Sequence, residues 1–213
     1  MFRLLVGALL VGLASGCGSN PTGATTEVAF DFAFEDAVGD TTAATSNPDN
    51  VPAIDLIGVS GRVEASSVRV TLEFADPISR WSDGLANGLD GFIHFDVDQN
   101  PATPVNPFAL GGEFYLDLRD NGFGKVGLVA VTARTITVLD ATFEGNRFEV
   151  VVPRRALQTS TDTDNRLDLL VRVGARNRVP LTDRGPDGDA RYRLEPPGEG
   201  APCASKPSAS MPT

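Results

Sequence analysis

The chain has 213 residues, 41% of them hydrophobic and 22% charged, with 22 Gly and 15 Pro, a composition that fits one globular domain and excludes collagen-like and low-complexity chains. A formal net charge of -10 argues against a nucleic-acid partner, because displacing counterions from phosphates takes a basic stripe. The same acidity suits a soluble surface or the binding of cations.

In chain order, Arg3 puts a positive charge at the start, Leu4 to Leu13 form an apolar stretch, and Leu13-Ala14-Ser15-Gly16-Cys17 ends it with small residues before a cysteine. The stretch is shorter than the about 20 apolar residues that a membrane-spanning helix needs. Residues 1–17 resemble a bacterial lipoprotein signal, with Ala14 at a position that is usually aliphatic. That resemblance implies removal of residues 1–16, lipidation of Cys17 and a place in the cell envelope, and Gly18 after the cysteine points by the same analogy to the outer membrane. Each buried CH₂ of a lipid chain contributes about 0.8 kcal/mol, so several chains hold a protein firmly. Lipidation of Cys17 leaves Cys203 without an intramolecular partner, whereas cleavage elsewhere makes a Cys17 to Cys203 disulfide available. After Cys17, residues 18–26 are Gly, Ser, Thr and Asn with one Pro and one Ala, and residues 17–26 read as a flexible tether.

Residues 27–195 carry the fold. Glu27 to Glu35 alternates, with Val28, Phe30, Phe32 and Phe34 on one face, and predicts a strand. Asp36-Ala37-Val38-Gly39-Asp40 is a turn that brings two carboxylates close, and Thr41 to Asn50 is a polar loop. Ile54 to Val63 and Val68 to Phe74 read as a strand pair with Ile54, Leu56, Val68, Val70, Leu72 and Phe74 in the core. Ser79 to Leu89, holding the single tryptophan Trp81, reads as a loop over a sheet edge.

From Phe92 the alternation resumes, placing Ile93, Phe95 and Val97 on one face and Phe92, His94, Asp96 and Asp98 on the other. Asp96, Asp98 and Asn100 then gather hard oxygen donors within five residues, with Pro101 and Pro104 stiffening the turn, which suits calcium better than a soft metal. Phe114, Leu116 and Leu118 alternate against Glu113, Tyr115 and Asp117, and Asp120-Asn121-Gly122 turns the chain. Lys125 to Val131, Arg134 to Asp140 and Arg147 to Val152 predict three more strands, with Glu144-Gly145-Asn146 as a hairpin turn. Pro153 to Leu157 fits one helical turn, Leu167 to Val173 another strand, and Asp183 to Asp189 an acidic turn; Asp183, Asp187 and Asp189 with Gly188 could form a second cation site there, but Arg184 among them can neutralise the cluster, and a plain turn is the preferred reading. Tyr192 to Glu195 can close the sheet, and residues 196–213 form a Pro/Gly/Ser-rich tail expected to be disordered.

Nine or ten short strands with almost no helix predict an all-β, antiparallel, jelly-roll-like β-sandwich in a single domain. The chain resembles the DOMON-like and family 9 carbohydrate-binding-module-like β-sandwiches, among them the calcium-binding C-terminal domain of glucodextranase. Asp36 to Asp40, Asp55-Leu56, Phe95 to Thr103 and Gly111-Gly112-Glu113-Phe114-Tyr115 carry the likeness, with Val151-Val152-Pro153 before Leu157 as a weaker part. Ala37 and Pro104 depart from the Pro and Gly usual in that pattern. The resemblance implies structural calcium and, as in some relatives, a sugar- or cofactor-binding face, without an enzyme activity.

An EF-hand is excluded at Asp96, because the sixth loop position is Pro101 rather than Gly and the twelfth is Pro107 rather than Glu. A sandwich site would instead complete Asp96, Asp98 and Asn100 with Asp36, Asp40 or Glu113; otherwise these acids cap turns through Asx hydrogen bonds. His94 is the single histidine, which excludes zinc sites built on several imidazoles. Trp81 and Tyr115 are candidates to stack on a sugar ring. The expected function is a non-catalytic, lipid-anchored, calcium-binding module with carbohydrate as ligand class. The alternatives are a structural envelope domain with a protein partner and, further off, a glycoside hydrolase built on paired carboxylates.

Overall fold

In the computed structural model the described residues are 29–41, 53–100, 102–103, 111–158, 166–176, 181–187 and 190–195. The signal segment, Cys17 and its tether, Pro101, Pro104, Cys203 and the tail lie outside them. The described residues form β1 (Phe30–Glu35), β2 (Leu56–Val63), β3 (Ser67–Phe74), β4 (Leu89–Asp96), β5 (Phe114–Asp117), β6 (Lys125–Ala130), β7 (Thr135–Glu144), β8 (Arg147–Pro153), β9 (Leu167–Ala175), β10 (Asp183–Gly185) and β11 (Tyr192–Leu194). Two 3₁₀ turns, at Trp81–Asp83 and Arg154–Ala156, are their only helical elements. The chain is therefore all-β, and its paired strands run antiparallel, as alternation along the sequence predicts.

Strand order is β1-β2-β3-β8-β7-β6-β5-β4-β9-β10, with β11 also on β9. The strand that joins the two halves is β7. Its first part, Thr135 to Asp140, pairs with β6, while Ala141 to Glu144 pairs with β8. The hydrogen bonding thus runs as one curled path. Near its two ends the path comes together where Leu56 N–H at the start of β2, the second strand, donates to Asp183 Oδ2 of β10, the last, at 2.5 Å.

Burial follows the period-2 pattern. All six core residues expected for β2 and β3 are buried, and every strand except β10 contributes to one apolar cluster. A bulge between Leu56 and Gly58 lets both Leu56 and Val59 face inward although they stand an odd number of positions, three, apart. At Gly61 a Cβ would lie 1.9 Å from Arg69 O and 2.7 Å from Phe32 Cζ; the missing side chain is what lets β1 lay Phe32 across β2.

Candidate metal centres

Asp96 is the last residue of β4, and alternation turns it away from the core residue Phe95. Because Phe95 pairs with Phe114 of β5, Glu113 falls next to Asp96, and Asp98 joins them from the following turn. One carboxylate oxygen from each of Asp96, Asp98 and Glu113 lies within 4.8 Å of the others. Asp96 is 0% exposed, and neither of its oxygens, nor Glu113 Oε1, receives a hydrogen bond. Glu113 Oε2 accepts Val97 N–H at 2.8 Å. The Arg191 guanidinium stands beside Asp96, its Nε 3.6 Å from Oδ2.

Such a space disfavours three negative charges. Burial, with Glu113 alongside, pushes Asp96 up to about 7 against the pull of Arg191, and burial also raises Glu113. A hard divalent cation would resolve both deficits, supplying a partner for the orphaned oxygens and cancelling their repulsion. The donors are all oxygen, drawn from a strand end, a turn and the residue before a second strand, and such a set could hold calcium.

The Asn100 side chain is engaged in its own turn, with one lone pair of its oxygen left over. Its Oδ1 accepts Ala102 N–H at 3.1 Å, and its own N–H donates to Asp98 Oδ1 at 2.9 Å. The Asx turn that was the competing explanation for the run is therefore present. Asp98 also accepts the Thr103 hydroxyl at 2.8 Å; a carboxylate has about four lone-pair sites, so these bonds leave it able to coordinate.

Asp36 and Asp40 lie elsewhere. Asp36, Asp40 and Asp187 form one close group, and Asp40, Asp55 and Asp183 form another that shares Asp40. The six expected ligands thus divide between two places. Burial, with Asp183, Asp40 and Asp187 nearby, holds Asp36 up at about 7. Burial likewise raises Asp183 to about 6, although Leu56 and Arg184 N–H groups bond it.

Residues 183–185 form a strand rather than the turn expected from the sequence, and its alternation puts Arg184 on the opposite face from Asp183, across from Arg172. Gly188 and Asp189 lie outside the described residues. What the sequence lacks is the curl of the sheet that brings β10 beside the start of β2.

Trp81 and Tyr115 occupy separate environments. Arg176 lies 4.3 Å over the Trp81 ring and donates to Trp81 O, while Asp120 fixes the turn through Ser82 N at 2.9 Å and Ser82 Oγ at 2.7 Å. Tyr115 meets Phe92 edge-on at 5.5 Å and has His94 6.3 Å away. His94 is itself buried. Sequence reasoning missed a groove of about 570 Å³ lined by Phe114, Ala130, Thr135, Thr137, Arg155 and Glu113, among others. Neither aromatic lines it. Its inward threonines sit where the alternation of β7 leads one to expect core.

No protein family model matches the chain, and no curated protein matches it. Among the described residues no helix is long and apolar enough to cross a membrane.

Proposed function

We propose that this chain is a calcium-stabilised β domain of the jelly-roll-like kind, exported and held in the envelope through Cys17, that binds carbohydrate without catalysis. The buried, unbonded oxygens of Asp96 and Glu113 are the observation that carries the calcium reading. The carbohydrate reading is supported by the groove that reaches Glu113, since hydroxyls and a guanidinium along an apolar floor match the mixed surface of a sugar. Trp81, with Arg176 over its ring, contributes less to such a surface than the sequence suggests.

The test is retention on cellulose, chitin and xylan with calcium or with EDTA. Calcium-dependent retention that Thr137→Phe abolishes by filling the groove is the expected result. Retention unchanged by Thr137→Phe refutes the groove, and no retention on any polysaccharide refutes the carbohydrate class. The anchor is tested by Cys17→Ser, which should move the protein from the membrane to the soluble fraction; continued membrane fractionation contradicts lipidation.

A second reading, a structural envelope domain with a protein partner, is favoured by Ile136 and Val138. They are 66% and 54% exposed on the outer face of β7, beside Val129 of β6. A partner burying that apolar surface is its expected consequence.

A further inference from the structure

Along one of its sides, β7 is paired over only half its length. Ala141 to Glu144 pairs with β8, but past that point β8 leaves β7 and follows β3, with Val151 opposite Arg69 and Pro153 opposite Ser67. Thr135 to Asp140 therefore pairs with β6 on one side and, among the described residues, with no strand on the other. The ladder fixes which main-chain groups face that open side. Ala141 N–H donates to Gly124 O at 2.8 Å, and because antiparallel bonding alternates, Leu139, Thr137 and Thr135 also bond to β6. Ile136 and Val138 thus aim their N–H and C=O groups outward, and both residues are exposed.

An open edge is a template for strand addition unless charge, proline or shortness blunts it. The ends of the path are blunted: β1 carries exposed Asp31 and Glu35, while β10 and β11 are three residues each. The β7 edge is not. Residues 135–139 read Thr-Ile-Thr-Val-Leu, β-branched up to the last and without a charge, a proline or a glycine. Its charges stand at the two ends, Arg134 just ahead of the strand and Asp140 after Leu139, both exposed. Two copies of this edge can bond only through their outward-facing residues. Centring an antiparallel pair on Thr137 sets Ile136 of each copy against Val138 of the other and Arg134 against Asp140. Centring it on Ile136 sets Arg134 against Val138, and centring it on Val138 sets Ile136 against Asp140. The first register alone matches charge to opposite charge and apolar to apolar along the segment.

We propose that the Thr135 to Asp140 edge of β7 joins a second copy of this chain, antiparallel and centred on Thr137, so that the sheet continues across a twofold axis. Such a contact is self-complementary, as a twofold interface requires. Main-chain bonds between Ile136 and Val138 give it affinity, and the same two side chains, with Val129 beside Ile136, form one apolar strip across both copies. Asp140 already meets Lys125 Nζ at 2.5 Å, but its side chain is 87% exposed and has room for Arg134 of the other copy. The inference rests on the second reading above, that a protein covers this face, and names that protein as the chain itself; calcium and carbohydrate play no part in it.

Sedimentation velocity of the full-length chain carrying Cys17→Ser, in reducing agent so that Cys203 cannot link two copies, tests this. With the β7 edge intact the protein should sediment as a dimer at high micromolar concentration. Val138→Pro removes an outward-facing N–H and spares the bonds to β6, so it should shift the protein to a monomer. Arg134→Glu should do the same by setting acid against acid. Adding Asp140→Arg to Arg134→Glu exchanges the charges and should restore the dimer, a rescue that a folding defect does not mimic. A monomer with the edge intact, or a dimer indifferent to both Val138→Pro and Arg134→Glu, overturns the proposal. If that monomer crosslinks in cells from Val138→Cys/Cys203→Ser to a different envelope protein, the second reading stands without the second copy; if it crosslinks to nothing, both fall.

Discussion

Asp96 turns both oxygens into a space that water does not reach. Two unit charges about 4 Å apart at an effective dielectric of about 20 interact by about 4 kcal/mol, so neighbouring ionised carboxylates without a cation are strongly unfavourable. In EDTA the protein has one escape, which is to keep protons. The Asp96 carboxyl rises from 3.8 to about 7 on folding, so between those values the folded chain holds a proton that the unfolded chain has released. That stability is present at low pH and lost as pH rises through about 7. Urea unfolding in EDTA should accordingly show a less stable protein at pH 8 than at pH 5 with saturating calcium abolishing or reversing the trend. A metal-free protein equally stable at both values would show that these carboxylates do not carry uncompensated charge. At this scale the sequence was informative for Asp96, Asp98 and Glu113, because alternation and the adjacent strand bring them together. At Asn100 it is silent, since a side chain that bonds its own turn looks identical, in sequence, to one that coordinates a metal.

Among the elements, β7 decides the architecture. The sequence marks a strand from Arg134 to Asp140, but the strand continues to Glu144 and changes partner from β6 to β8 at Ala141. Nothing in the residue pattern announces a change of neighbour, since alternation reports which face is buried and not which strand lies alongside. Individual strands were legible for the opposite reason: Val68, Val70, Leu72 and Phe74 are spaced by two and are all buried. The three-residue β10 was read as a turn, because three residues give alternation too little length to register. The close packing of β1, β2 and β3 yields a prediction of its own. A methyl group at Gly61 collides with Arg69 O and the Phe32 ring, and the first of these is backbone that cannot swing aside. Gly61→Ala should therefore destabilise the protein by at least about 2 kcal/mol in urea unfolding; a change of under about 0.5 kcal/mol would mean that β1 does not pack across β2 in this way.

For the whole molecule, the path from β1 to β10 builds one apolar cluster and gathers acidic side chains at two places on its margin. Composition gave the class and the acidity, and local patterns gave one cluster. The seam could not be read from the chain, because Leu56 and Asp183 are 127 residues apart and only the closed curl makes them neighbours. A cation held by the folded state alone, as proposed, would stabilise that state by mass action, by about 2.7 kcal/mol when free calcium is a hundred times the dissociation constant. For a domain of this size each 1 kcal/mol moves the melting temperature by about 2–4 °C. The most direct test is thermal unfolding of the purified protein in EDTA and again with excess calcium. A rise of several degrees with calcium that Asp98→Asn diminishes is the predicted result. An identical melting temperature in both conditions would contradict it and reduce these carboxylates to turn-forming groups.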